Sequence, residues 1–181
     1  MNYHFEDIED LTYNLNLRQT RSRSNVSGID NKYIGRKGIL PTGRYVNDYN
    51  KRSIDIGFLC QSITFGKVRP LFSKKGTLVD SRFNRLYPEL YTELKYMIYC
   101  LNPGFEYTNI CVNHNLICAP HRDKNKGNSL IVAWGSYTNG ELVVENKLYD
   151  IKYKPLIFDG SRLTHYTNQF EGDRWSAIFY K

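Results

Sequence analysis

Tyr107-Thr108-Asn109-Ile110-Cys111-Val112-Asn113-His114-Asn115-Leu116, with His121-Arg122-Asp123 shortly after it, is the stretch that decides how this chain is read. On an extended strand successive side chains point to opposite faces. Thr108, Ile110, Val112, His114 and Leu116 therefore share one face, and Tyr107, Asn109, Cys111, Asn113 and Asn115 share the other. The first face is mostly apolar and should pack on a helix, which makes His114 a structural or rim residue. The second is polar and would line an interior. The same period puts His121 and Asp123 on one side of their strand and Arg122 on the other.

Downstream, His165 would arrive from a different strand, and Arg174 and Ser176 share a face of the last one. Two histidines and one carboxylate are the protein half of a facial triad that holds Fe(II) and leaves positions open. Taken singly, these residues have ordinary readings. His165 fits a satisfied core histidine, and Arg174 could pair with Asp159 or Glu171. Their joint order points to an enzyme.

Around this stretch the chain is nearly all β. Strands are expected at 107–116, 129–134, 141–145, 148–152, 155–158, 164–168 and 174–180, separated by turn signals such as Asn139-Gly140 and Asp159-Gly160. Upstream, residues 54–60 read as a strand, and 62–79 as strands or an irregular lid. Leu90, Leu94, Met97, Ile98 and Leu101 recur at helical spacing between Pro88 and Asn102-Pro103-Gly104, which predicts one amphipathic helix on the outside of a sheet. Many short strands behind one helix indicate a sandwich or a barrel, a mainly β (α+β) chain.

The order His-x-Asp, distal His, then Arg-x-Ser resembles the Fe(II)/2-oxoglutarate-dependent dioxygenases. The words at 107–115, Thr138-Asn139-Gly140-Glu141-Leu142 and Leu156-Ile157-Phe158-Asp159-Gly160 are most similar to the TET/JBP-related branch. The resemblance covers residues 54–181. It implies a double-stranded β-helix (jelly roll) buttressed by the helix, with iron held by His121, Asp123 and His165 as the catalytic centre. It further implies that Arg174 grips the far carboxylate of 2-oxoglutarate, since a guanidinium can bind a carboxylate bidentately. Ser176 would add a hydrogen bond, and Asn113 and Asn115, on the polar face that a jelly roll would turn inward, are candidates to contact 2-oxoglutarate or substrate, or else satisfied interior amides. Dioxygen would be the second cosubstrate. The implied reaction hydroxylates a C–H bond, foremost a methyl group on a pyrimidine base. The rival readings are a prolyl-type or small-molecule hydroxylase with the same triad, and a jelly-roll binding module that turns nothing over.

Composition bounds the remainder. The 181 residues suit one domain, and 41% apolar content with fifteen Tyr and nine Phe reads as globular. No run of eighteen apolar residues exists, so no membrane span is expected, and the acidic start at Met1–Asp10 does not read as a signal peptide. Cys60, Cys100, Cys111 and Cys118 lack CxxC spacing, which suggests reduced thiols in an intracellular, reducing compartment, cytoplasmic or nuclear. A monomer is expected.

Charge is uneven. Residues 1–17 carry four acids and no base, whereas 18–52 carry nine bases against two acids. The chain therefore divides into a leader or basic arm, 1–50, and a jelly-roll domain, 51–181. Such an arm suits phosphate contacts with DNA or RNA, or is a solvated leader. Arg122, Lys124 and Lys126 flank the ligand motif and could follow phosphates at the pocket mouth. Tyr166, Tyr137, Phe72 and Phe65 are candidate stacking platforms for a base.

Overall fold

The computed structural model describes residues 2–17, 61–70 and 76–181, with the backbone of two short strands, β1 (Gly38–Ile39) and β2 (Tyr45–Val46). Apart from that pair, the basic stretch 18–52, the expected strand at 54–60 and Phe72 lie outside the described residues.

The chain opens with helix α1 (Phe5–Thr12). After β3 (Gln61–Val68) and β4 (Val79–Asp80) come a short α2 (Phe83–Leu86) and α3 (Pro88–Leu101). The expected helix matches α3. Proline occupies its first turn, where a missing N–H costs nothing, and the Asn102 N–H closes it on the Ile98 carbonyl at 2.8 Å. β5 (Asn109–His114), β6 (Ser129–Trp134), β7 (Tyr137–Asn139), β8 (Leu142–Val144) and β9 (Lys147–Tyr149) follow. The last strands are β10 (Leu156–Phe158), β11 (His165–Thr167), β12 (Phe170–Gly172) and β13 (Trp175–Tyr180). β7 and β12 were not expected. They pair with each other across segments that read as turns.

Six strands form one antiparallel sheet in the order β10-β6-β13-β5-β3-β4, and a smaller sheet runs β11-β8-β9. Alternation along the central strands sorts the core into two layers. Ile110, Val112, Leu130, Val132, Trp134, Ala177 and Phe179 face the helices and meet Leu90, Leu94, Met97 and Ile98 of α3. Cys111, Ile131, Ala133 and Ile178 face the other way and meet Leu142 and Val144 of the smaller sheet. Burying one such aliphatic or aromatic side chain contributes about 1.5–3 kcal/mol. Two antiparallel layers closed over an inner core, with helices on the outer face, make the double-stranded β-helix that the resemblance implies.

The N-terminal leader needs correcting. Ile8 and Leu17 are fully buried in the helix-side core, and Glu9 accepts a hydrogen bond from the Gly135 N–H at 3.1 Å. Thr12 accepts one from the Trp134 indole. Residues 2–17 are thus part of the folded body rather than a solvated segment ahead of it. Their acids are surface residues of an amphipathic helix, and charge alone hid its apolar side.

Candidate metal and cosubstrate site

His121 and His165 meet as a cross-strand pair. They form an isolated antiparallel bridge and exchange both backbone hydrogen bonds at 3.0 Å. The Asp123 N–H is fixed on the Gly160 carbonyl at 2.8 Å. Two residues on from His121, Asp123 therefore returns to the same side, as the strand period requires. His121 Nε2 lies 3.7 Å from Asp123 Oδ1, and His165 Nε2 lies 3.4 Å from Asp123 Oδ2. One donor atom from each residue falls within 4.8 Å of the others.

The ring orientations are fixed from behind. His121 Nδ1 donates to the Ala119 carbonyl at 2.7 Å, and His165 Nδ1 donates to the Leu163 carbonyl at 3.0 Å. A carbonyl only accepts, so a proton sits on Nδ1, and Nε2 is the ring nitrogen turned toward the site. Such outer partners are what hold metal-ligating histidines. Neither partner is visible in the sequence, because both are backbone atoms. Gly160 completes the wall: a Cβ there would meet Asp123 Oδ2 at 3.0 Å and His165 Cε1 at 3.3 Å.

The pocket beside these three residues is lined by Arg174, Ser176 and Asn113, so the six residues singled out in the sequence share one cavity. Arg174 is 2% exposed. Its Nε donates to the Gly140 carbonyl at 3.2 Å, and its guanidinium lies 5.4 Å from the Tyr137 ring centre and 5.6 Å from that of Phe170. Burial depresses its pKa, countered in part by the nearby Tyr137 hydroxyl. Asp159 instead engages Ser161 and Arg162, and Glu171 is an exposed residue of β12. Arg174 forms no ion pair among the described residues. Gly140, at φ +74°, takes a left-handed turn that favours glycine, and a Cβ there would meet Arg174 Nε at 3.0 Å.

Asn113 is oriented from one side, its Oδ1 accepting from Ser62 Oγ at 2.7 Å and Cys111 Sγ at 3.5 Å. That leaves its amide N–H groups to face the pocket. Asn115 does not line the cavity as alternation predicts. Its φ of +48° breaks the strand period, and Leu116 enters the pocket instead. The Asn115 side chain accepts from the Arg174 N–H at 2.7 Å and donates to Asp173 at 3.0 Å. His114 is structural, stacked on Trp175 at 4.0 Å and bridging Gln61 to Asp173.

Of the candidate platforms, Tyr166 lines the pocket. Phe65 does not: it is buried on the helix side, stacked on Tyr91. Tyr137 is buried against Arg174 and Phe170. Arg122 is exposed, does not line the pocket, and donates to Thr164 at 3.2 Å.

The fold and the donor set are those that the resemblance implies, a jelly roll carrying two histidines and one carboxylate at its inner face. The structure of NgTET1 in complex with 5mC DNA is similar to this chain with a TM-score of 0.50 and 15% identity, over 66% of this chain. This chain spans 60% of that one. A 2OG-Fe(II) oxygenase family oxidoreductase from Burkholderia pseudomallei gives a TM-score of 0.37 at 17% identity, covering 57% of this chain and 60% of that one. OsALKBH1 gives 0.39 at 10%, covering 66% and 77%. The shared fold rests on the first. No protein-family model and no curated protein matches the sequence. No helix among the described residues is long and apolar enough to cross a membrane.

Proposed function

We propose that this protein is an Fe(II)- and 2-oxoglutarate-dependent dioxygenase that hydroxylates a methyl group on a nucleic-acid base. The observation that carries the reading is Arg174. A buried cation without an ion pair is costly, and it stands in the same cavity as a three-donor metal set. A ligand that binds a metal at one end and offers a carboxylate at the other satisfies both. The donor set also fits the ion, since two imidazoles and one carboxylate leave positions for a chelating cosubstrate and dioxygen.

His121, Asp123 and His165 would hold the iron, whose chemistry is the activation of dioxygen with oxidative decarboxylation of 2-oxoglutarate. The balance is one 2-oxoglutarate, one dioxygen and one methyl group to succinate, carbon dioxide and a hydroxymethyl group. The chain's own work is placement. Arg174 fixes the distal carboxylate, Ser176 and Asn113 supply polar contacts beside it, and Leu116, Ile131, Leu142, Phe158 and Ile178 exclude water from the pocket. The nucleic-acid substrate is supported by the likeness of fold to a protein solved with 5mC DNA and by the net charge of +7.

The test is oxygen-dependent succinate formation with added iron, run with methylated DNA, with a proline-containing peptide and with neither, beside His121→Ala. DNA-stimulated turnover that the substitution abolishes is the expected result. Turnover stimulated by the peptide alone would move the substrate to protein, and absence of turnover in every arm would favour a binding module.

A further inference from the structure

Asp123 lines two openings. One is the small pocket it shares with His121, His165 and Arg174. The other is an open cleft on the same inner side of the large sheet, floored by Thr64, Cys111 and Tyr180. Register places Thr64 beside Cys111 and Cys111 beside Ile178, so the floor of the cleft continues the face that carries Asn113 and Ser176. The two openings are the two approaches to one carboxylate.

Their chemistry differs. The small pocket has a single buried cation, Arg174, suited to one small dianion. The open cleft carries Arg69, Lys124 and Lys181, from the end of β3, the loop after the ligand motif and the C-terminal residue. Arg69 and Lys124 thus bring positive charge to it from two separate segments, and Lys181 adds a third basic side chain that is held in an ion pair. Its acidic surroundings are engaged: Asp80 pairs with Lys67 at 2.9 Å, and Glu106 pairs with Lys181. Lys124 is exposed, directly follows ligand Asp123, and makes no ion pair among the described residues.

From this geometry we infer that the Arg69–Lys124–Lys181 cleft is the substrate track, where the phosphates of a nucleic-acid strand lie while one base reaches the metal past Asp123. The inference rests on the dioxygenase reading and adds the side from which substrate enters. Cations spread along an open trough match a repeating phosphodiester better than a single anionic group, which would call for convergent donors. Lys124 is then a positioning residue that sets how far the strand can approach the ligand.

The test measures binding of a methylated single-stranded oligonucleotide by fluorescence anisotropy across a salt series. The proteins are the full chain, Lys124→Ala/Arg69→Ala, Lys124→Arg, and Lys95→Ala as a control. Lys95 sits on α3, over the Tyr91 ring, across the sheet from the cleft. The double variant should bind about tenfold more weakly or worse, and its log–log salt slope should fall by about one for each phosphate contact removed. Lys124→Arg should keep most of the full chain's slope, and Lys95→Ala should not change it. All four proteins should bind Mn(II) with 2-oxoglutarate by calorimetry, which reports the metal pocket independently. Unchanged affinity and slope in the double variant, with tight binding by the full chain, would overturn the cleft and leave the nucleic-acid reading standing. Failure of the full chain to bind the oligonucleotide, or its capture of an acidic peptide instead, would overturn both.

Discussion

His121 and His165 face each other directly across an antiparallel bridge, each giving its backbone N–H to the other's carbonyl at 3.0 Å. In such a hydrogen-bonded pair the Cα atoms stand about 5.5 Å apart. The separation of the two imidazoles is therefore set by backbone geometry before any ion arrives. Removing a ring leaves the bridge intact, so His121→Ala should fold. It should lose at least about 100-fold in metal affinity, an effect no smaller than losing an outer partner. Calorimetric titration with Mn(II), beside thermal unfolding, checks this; unchanged affinity would remove His121 from the ligand set.

Arg174→Ala should act on the cosubstrate and leave the ion in place. Deleting a charge-assisted hydrogen-bonding partner costs about 1.5–3 kcal/mol, or roughly 10- to 100-fold in affinity. The expected outcome is a KM for 2-oxoglutarate raised by that factor with Mn(II) affinity retained. Arg174→Lys should recover only part, because an ammonium lacks the planar fork. An unchanged KM in Arg174→Ala would detach the residue from the cosubstrate.

Asn115 offers a subtler test of the same interaction. It ties the end of β5 to Asp173 and Arg174 through both ends of its amide while holding a φ of +48°. Asn115→Gly keeps the backbone freedom and loses the clamp; Asn115→Ala loses both. Both variants should raise KM for 2-oxoglutarate severalfold with kcat nearly constant, and Asn115→Ala should also be the less stable of the two. If KM stays constant in both, the clamp is structural and does not position Arg174.

The site was more legible than its surroundings, for a physical reason. His121, Asp123, His165, Arg174 and Ser176 are chemical specialists: His165 and Ser176 stand on β11 and β13, His121 on an isolated bridge to His165, and Arg174 directly before β13, so a period of two assigns the side that most of them take. α3 was legible because its five apolar positions follow a single stripe closed by Pro88 and Asn102. α1 was hidden because acids outnumber its buried residues, and its partners Trp134 and Gly135 lie more than a hundred residues away. Asn115 misled because alternation assumes an unbroken strand, and a left-handed residue ends that assumption. The backbone carbonyls of Ala119 and Leu163, which set the histidine tautomers, have no side-chain signature at all.

Asp173 gives a pH dependence with a definite sign. Burial alone would raise its pKa, but hydrogen bonds from His114, Asn115 and Trp175 outweigh burial and hold the carboxyl below its ordinary value of 3.8. A folded-state pKa below the unfolded one stabilises the native chain above the unfolded value, and that contribution is lost as pH falls through the folded one. Thermal unfolding should therefore show the native chain losing stability relative to Asp173→Asn as pH drops below about 4. A gap between the two that is constant from neutral pH into that acid range would contradict the assignment.

Gly160 is the sharpest test of how closely the metal set is built. Its φ is not the reason for glycine; the space is. A Cβ would stand 3.0 Å from Asp123 Oδ2, 3.3 Å from His165 Cε1 and 3.4 Å from Phe158 Cε2. Asp123 cannot retreat freely, since its N–H is bonded to the carbonyl of Gly160 itself. The added methyl must therefore displace the carboxylate or the imidazole by a few tenths of an ångström. Overpacking a well-packed wall costs about 1–3 kcal/mol. Displacing a ligand should cost roughly 10- to 100-fold in metal affinity, as disturbed outer contacts do. Gly160→Ala should thus remain folded while binding Mn(II) at least about tenfold more weakly, with Arg174 and its pocket untouched. Wild-type affinity in a folded Gly160→Ala protein would mean that the carboxylate has room the structure does not give it, and that Asp123 is held less closely than its neighbours imply.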